Sequence, residues 1–221
     1  DPENRLLARA SRIRLPAEVV RDQALAVSGQ LVPVVGGPSV RPWMPEGVWD
    51  DTSRYGDLRG YKPDTGPGRH RRSMYTIWKR TAAPPTMLLF DAPNRETCQV
   101  RRSRTNTPLQ ALALLNEPTF VEAAQALAAR MLAEGGVAVA DRLRRGFRLA
   151  IGRPPSEQEL TTLVVGFAAD RAAFAADATA AEQFVGSGRA APSDGVPAPE
   201  FAAYVMAANV LINLDEFVMR E

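Results

Sequence analysis

With 221 residues, 45% of them hydrophobic and 24% charged, the chain has an ordinary globular composition and enough length to bury a core, as one large domain or two small ones. A net charge of +2 creates no global field for nucleic acid or anionic lipid, and a single cysteine, Cys98, excludes an intrachain disulfide. A single histidine, His70, excludes paired-histidine metal sites, no C-x-x-C or C-x-x-C-H run occurs, and no stretch approaches the length of a membrane span.

The first helix is expected over 16–28: Pro16 suits a first helical position, Val20, Ala24 and Val27 share a face, and Gly29 terminates it. Over 31–72 proline and glycine recur, which predicts an irregular arm. Its aromatic residues Trp43, Trp49, Tyr55 and Tyr61 argue for an ordered arm packed over the helices. Residues 73–78, Ser-Met-Tyr-Thr-Ile-Trp, are the best strand candidate. Pro84 and Pro85 open a short apolar helical turn through Phe90, stopped by Asp91-Ala-Pro93.

Thr107-Pro108-Leu109-Gln110 reads as a helix start, in which Thr107 caps a backbone N–H, Pro108 wastes no donor and Gln110 reaches back to the cap. Leu109, Ala111, Leu112, Ala113, Leu114 and Leu115 make the helix apolar all round, so it is expected to be the most buried one. Asn116-Glu-Pro118 closes it and opens the next, with Phe120, Ala124, Leu127 and Met131 at helical spacing up to Gly135-Gly136. A further helix runs over 141–151 and stops at Gly152. Ser156-Glu-Gln-Glu159 is a capping box before a helix that fades near Ala178. The stretch 186–199 reads as a mobile loop, and Phe201, Val205, Ala208 and Ile212 form the last helix. The expected fold is mainly α and a single domain over 1–221: a helical bundle over 84–221, the irregular arm over 31–72, and at most a short β-hairpin in the first half.

Charge is unevenly spread. Between Arg69 and Arg104 nine basic residues face only Asp91 and Glu96, a local +7 in a frame of −5. Arg101, Arg102 and Arg104, with Asn106 just before the helix start, either hold an anion or pair with Asp91, Glu96, Asp50 or Asp51 and pin the arm to the bundle. The second reading is preferred, because the acidic frame supplies partners. Arg71 and Arg72, in the run Arg69-His-Arg-Arg72, either contact an anionic polymer or lie on a solvated face, and the solvated face is preferred. Nucleic acid is disfavoured, since no reading element accompanies the basic centre.

His70 is the only histidine base available to a serine or cysteine hydrolase, and no nucleophile motif accompanies it, so a surface or packing histidine is expected. Cys98 is read as a buried inert thiol. Asp50, Asp51, Asp57 and Asp64 share the arm with Trp43, Trp49, Tyr55 and Tyr61. Acids beside aromatics are what a carbohydrate cleft uses, and equally what a polar loop with anchoring aromatics contains.

Several blocks carry a resemblance. Arg101-Arg-Ser-Arg-Thr-Asn-Thr-Pro-Leu-Gln-Ala-Leu112, Leu114-Leu-Asn-Glu-Pro118 and Phe120-Val-Glu-Ala-Ala124 are supported by Arg72-Ser-Met-Tyr-Thr-Ile-Trp-Lys-Arg-Thr81, Phe90-Asp-Ala-Pro93 and Leu211-Ile-Asn-Leu-Asp-Glu-Phe217. Together they resemble the domain of unknown function 1553 of planctomycete and verrucomicrobial proteins. The resemblance implies a C-terminal part of a longer extracytoplasmic polypeptide, with upstream domains as partners and a setting in polysaccharide breakdown. Any haem would sit in an upstream cytochrome c module, and no cofactor is assigned to this chain. It brings no established activity. The leading expectation is a non-catalytic binding or assembly module, whose ligand could include an acidic or sulfated polysaccharide. The alternative is a polysaccharide-active enzyme, or part of one, with the arm carboxylates and aromatics forming its cleft.

Overall fold

The computed structural model describes residues 1–10, 12–52, 60–186 and 195–220, and these form a mainly α architecture. At its centre lies helix α8 (Ala198–Ile212), buried along nearly its whole length. Its sequence explains the position: Phe201, Tyr204, Val205, Leu211 and Ile212 supply bulk on several sides. Ala202, Ala203, Ala207 and Ala208 let neighbouring helices approach. Around it pack α4 (Pro118–Glu134), α5 (Val139–Ile151), α6 (Glu157–Ala176) and α7 (Ala178–Gly186), and α1 (Ala17–Val27) covers the far side of α4.

Helix starts and stops follow local chemistry. The Ser156 hydroxyl accepts from the Glu159 N–H at 3.3 Å, and the Glu159 carboxylate accepts from the Ser156 N–H at 2.6 Å, so the capping box is complete. Gly152 ends α5 in the left-handed region at φ 87°, where a side chain would be strained. Gly135, between α4 and α5, is glycine for another reason: a Cβ there would lie 2.5 Å from the Arg142 Cα. The two helices meet backbone to backbone at that turn.

Four expectations are corrected. Residues 73–78 are no strand: Ser73–Tyr75 forms a 3-10 turn, and only single bridges join Val40 to Thr76 and Val32 to Arg71. The one two-residue ladder among the described residues is antiparallel and joins β1 (Ile13–Arg14) to β2 (Met219–Arg220), far apart in sequence. It is continued by the Leu15 N–H donating to the Val218 carbonyl at 3.0 Å. Residues 178–186, expected to be the fading end of a helix and the start of a loop, form a separate helix, α7, which ends at Gly186; α8 begins at Ala198, and 187–194 of the expected loop lie outside the described residues. Helix α7 escaped the sequence reading because its alanines mark no stripe; Asp177 caps it by accepting from the Ala180 N–H at 2.9 Å.

The fourth correction bears on function. Helix α3 (Pro108–Asn116) is not the most buried helix. Only Gln110 and Leu114 are buried in it, whereas Leu109 is 58% exposed, Leu112 54% and Leu115 38%. At about 100° per residue these three leucines fan across about 120° on the side opposite Gln110 and Leu114. An apolar helix predicts burial only where something covers each side, and within this chain α3 is covered on one.

Candidate functional site

The loop that enters α3 carries the arginine block, and it folds over the start of α1. Together they form a cleft of about 270 Å³ lined by Arg14, Arg101, Arg102 and Arg104, with Asp91 and Gln110 among its polar walls. Arg14 reaches it from the β1–β2 ladder, donating to the Gln110 side-chain oxygen at 2.9 Å. Burial holds this guanidinium below its ordinary value, opposed by the charges of Asp215 and Asp91. Asp91 accepts from the Thr105 N–H at 2.7 Å and from its hydroxyl at 2.8 Å, so it shapes the loop. Arg102 reaches Glu18 in the first turn of α1 at 2.8 Å. Arg101 and Arg104 are exposed and meet no hydrogen-bond or ion-pair partner among the described residues.

Pairs with Asp50, Asp91 or Glu96 are therefore not how the arginine block sits, and the Asp51 side chain lies outside the described residues: the block's only ion pair among the described residues joins Arg102 to Glu18. Asn106 is exposed beside the block and borders a smaller hollow against Arg14 and Asn213. The Thr107 cap is present, its hydroxyl accepting from the Gln110 N–H at 3.3 Å. Gln110 does not reach back to the cap; its amide donates to the Leu89 carbonyl at 2.8 Å and to the Thr105 hydroxyl at 3.0 Å, which ties the loop to α2 (Pro85–Leu89).

The true clamps lie elsewhere. Arg21 on α1, 6% exposed, donates to the carbonyls of Arg69 at 2.6 Å and Arg71 at 3.0 Å and to the Ser73 hydroxyl at 3.1 Å. Its neighbour Asp22 accepts from the Ser73 N–H at 2.7 Å. Arg71 is also buried: it donates to the carbonyls of Val34, Gly36 and Pro38 and lies 3.9 Å over the Tyr75 ring. Arg69 is buried in an ion pair with Glu122 on α4. The solvated-face reading of this run holds for Arg72 alone, which is half exposed with Asp22 at 3.9 Å. Sequence gives no warning of buried arginines here, because their partners are mostly backbone carbonyls. His70 packs against the same pair, accepting from Arg69 at 3.2 Å. Cys98 is exposed rather than buried.

Trp49 and Tyr61 of the arm are used for packing. Trp49 is 1% exposed, donates to the Ala82 carbonyl at 3.0 Å and meets Tyr61 edge-on at 4.9 Å. The Tyr61 hydroxyl donates to the Pro42 carbonyl at 2.6 Å. Trp43 is half-buried against a small cavity beside Arg21 and Glu117. Asp64 accepts from the Arg41 N–H at 2.7 Å, and Asp50 is exposed. Tyr55, Asp57 and the Asp51 side chain lie outside the described residues.

Glu117 is a residue that sequence reading passed over. It caps α4, accepting from the N–H groups of Thr119 at 3.0 Å and Phe120 at 3.3 Å and from the Thr119 hydroxyl at 3.1 Å. Burial pushes its carboxyl up to about 7 in spite of these hydrogen bonds and of nearby Arg21. The signal was present as an acidic residue directly before Pro118, a cap followed by a first-turn proline.

No group of three metal-ligating side chains occurs among the described residues, and no helix among them is long and apolar enough to cross a membrane. A family model described as a protein of unknown function (DUF1553) matches residues 1–165, which include α1 through α5, the arm and the whole arginine cleft. No curated protein and no solved structure matches the chain.

Proposed function

Because the chain belongs to the DUF1553 family, we propose that it serves as an assembly module, docking through the outer face of α3 onto a companion domain of the same polypeptide. The observation that carries this reading is the leucine fan of Leu109, Leu112 and Leu115, an apolar face left open on α3. Arg101 and Arg104, exposed and without an ion-pair partner among the described residues, lie on the loop that enters the same helix. An apolar helix face with cations on its entry loop is complementary to an apolar patch that carries carboxylates nearby, and that is the partner surface we assign. The family resemblance adds the setting we propose for it: an extracytoplasmic parent protein, with any haem in a domain upstream. The carbohydrate-cleft reading gains no observation, since Trp49 and Tyr61 are turned to packing and Asp64 to the backbone.

The test expresses this chain and the companion domain as separate polypeptides and measures their association. Replacing Leu109, Leu112 and Leu115 by glutamine is expected to abolish association while leaving the melting temperature of this chain within a few degrees. Association that survives the triple replacement overturns the proposal.

A further inference from the structure

The cleft between the α3 entry loop and the start of α1 is lined by Gln110 and not by the three exposed leucines, so it is a feature apart from the docking face. Its walls hold four guanidiniums from two separate parts of the chain, Arg14 on the β1–β2 ladder and Arg101, Arg102 and Arg104 on the loop. Glu18 pairs with Arg102 and the charges of Asp215 and Asp91 act on Arg14, so the two positive charges left uncompensated among the described residues are those of Arg101 and Arg104. Asp91 is anchored in the wall by two hydrogen bonds from Thr105, both to one carboxylate oxygen. Arg14 is fixed from below by the neutral side chain of Gln110, which orients the guanidinium without cancelling its charge. Gln110 is itself 1% exposed and tied to Leu89 and Thr105, so the floor of the cleft is rigid.

The geometry points to a site for a tetrahedral dianion, a phosphate or sulfate group, held between Arg14, Arg101 and Arg104. Three features select this ligand class. A dianion matches the two uncompensated charges, whereas a carboxylate matches one. Its acceptor oxygens point in several directions, as guanidiniums arriving from a floor and a loop require, while a carboxylate offers two in one plane. The volume of about 270 Å³ stands at the small end of the roughly 300–1,000 Å³ of clefts for organic ligands and has room for one such charged group. This goes beyond the docking reading and does not use its leucines.

The experiment titrates the chain with inorganic phosphate, inorganic sulfate and acetate at constant ionic strength, following binding by calorimetry and by amide chemical shifts of residues 100–110. Saturable binding of phosphate or sulfate, with acetate at least tenfold weaker, is expected. Phosphate alone, sulfate alone, or both tells which group the site accepts. Arg101→Gln together with Arg104→Gln is expected to weaken binding by about tenfold per arginine, and neither change removes a contact of the folded chain. The leucine triple variant is expected to bind the anion unchanged, so the two proposals fail separately. Equal binding of acetate, no saturable binding, or unaltered affinity in the arginine double variant overturns the assignment.

Discussion

Removing the Arg21 side chain would take hydrogen bonds from the carbonyls of Arg69 and Arg71 and from the Ser73 hydroxyl at once, in a place water does not reach. Arg21→Ala is expected to cost about 3 kcal/mol, read as a lower denaturant midpoint. Arg101→Ala, removing the same group from an exposed site, is expected to shift stability by no more than about 0.5 kcal/mol. Glu117 supplies a second test at this scale. Its carboxyl sits near 7 in the fold against 4.5 for an ordinary glutamate, so protonation is favoured by folding. The resulting stability is complete below about 4.5 and is lost as pH rises through about 7. Glu122, where burial is outweighed by Arg69, and Glu134 and Glu159, hydrogen-bonded by arginines, are shifted downward, so their contributions fade only below that window. A melting curve for Glu117→Gln is therefore expected to stay level between pH 4.5 and 7, where the parent chain loses stability. An equal slope in both proteins would show that another group titrates there.

Among the elements, the junction of α4 and α5 is the least tolerant. Gly135→Ala would place a methyl 2.5 Å from the Arg142 backbone, which cannot swing aside as a side chain would. The helices must separate, at an expected cost of about 1–3 kcal/mol by thermal or chemical unfolding. Elements were also where the sequence spoke most clearly. Prolines 16, 108 and 118, Gly152 and the Ser156–Glu159 box marked helix ends that the structure places within a residue or two, because capping is decided by neighbours along the chain. The facing of α3 was not legible. An all-apolar helix looks the same in sequence whether its outer side meets this domain or another one. The buried arginines were hidden for a related reason: carbonyl acceptors come with every residue, so no pattern announces which of them a guanidinium will meet. The arginine block itself was visible in the sequence, but its role as the wall of a cleft depended on Arg14, which lies 87 positions earlier and joins it only through the β1–β2 ladder.

For the whole molecule, the arrangement of helices around α8 sets the order in which the structure can be completed. Helices α4, α5, α6 and α7 all rest on a helix that follows them in the chain, and the ladder that steadies Arg14 needs residues 219 and 220. During synthesis those four helices leave the ribosome before their common support exists, each with an apolar side facing water. A nascent chain halted before Ala198 is expected to bind hydrophobic dyes and chaperones strongly, and one extended past residue 220 is expected to release them. The translation of residues 198–220 thus decides whether the helices made before them pack into a fold or aggregate.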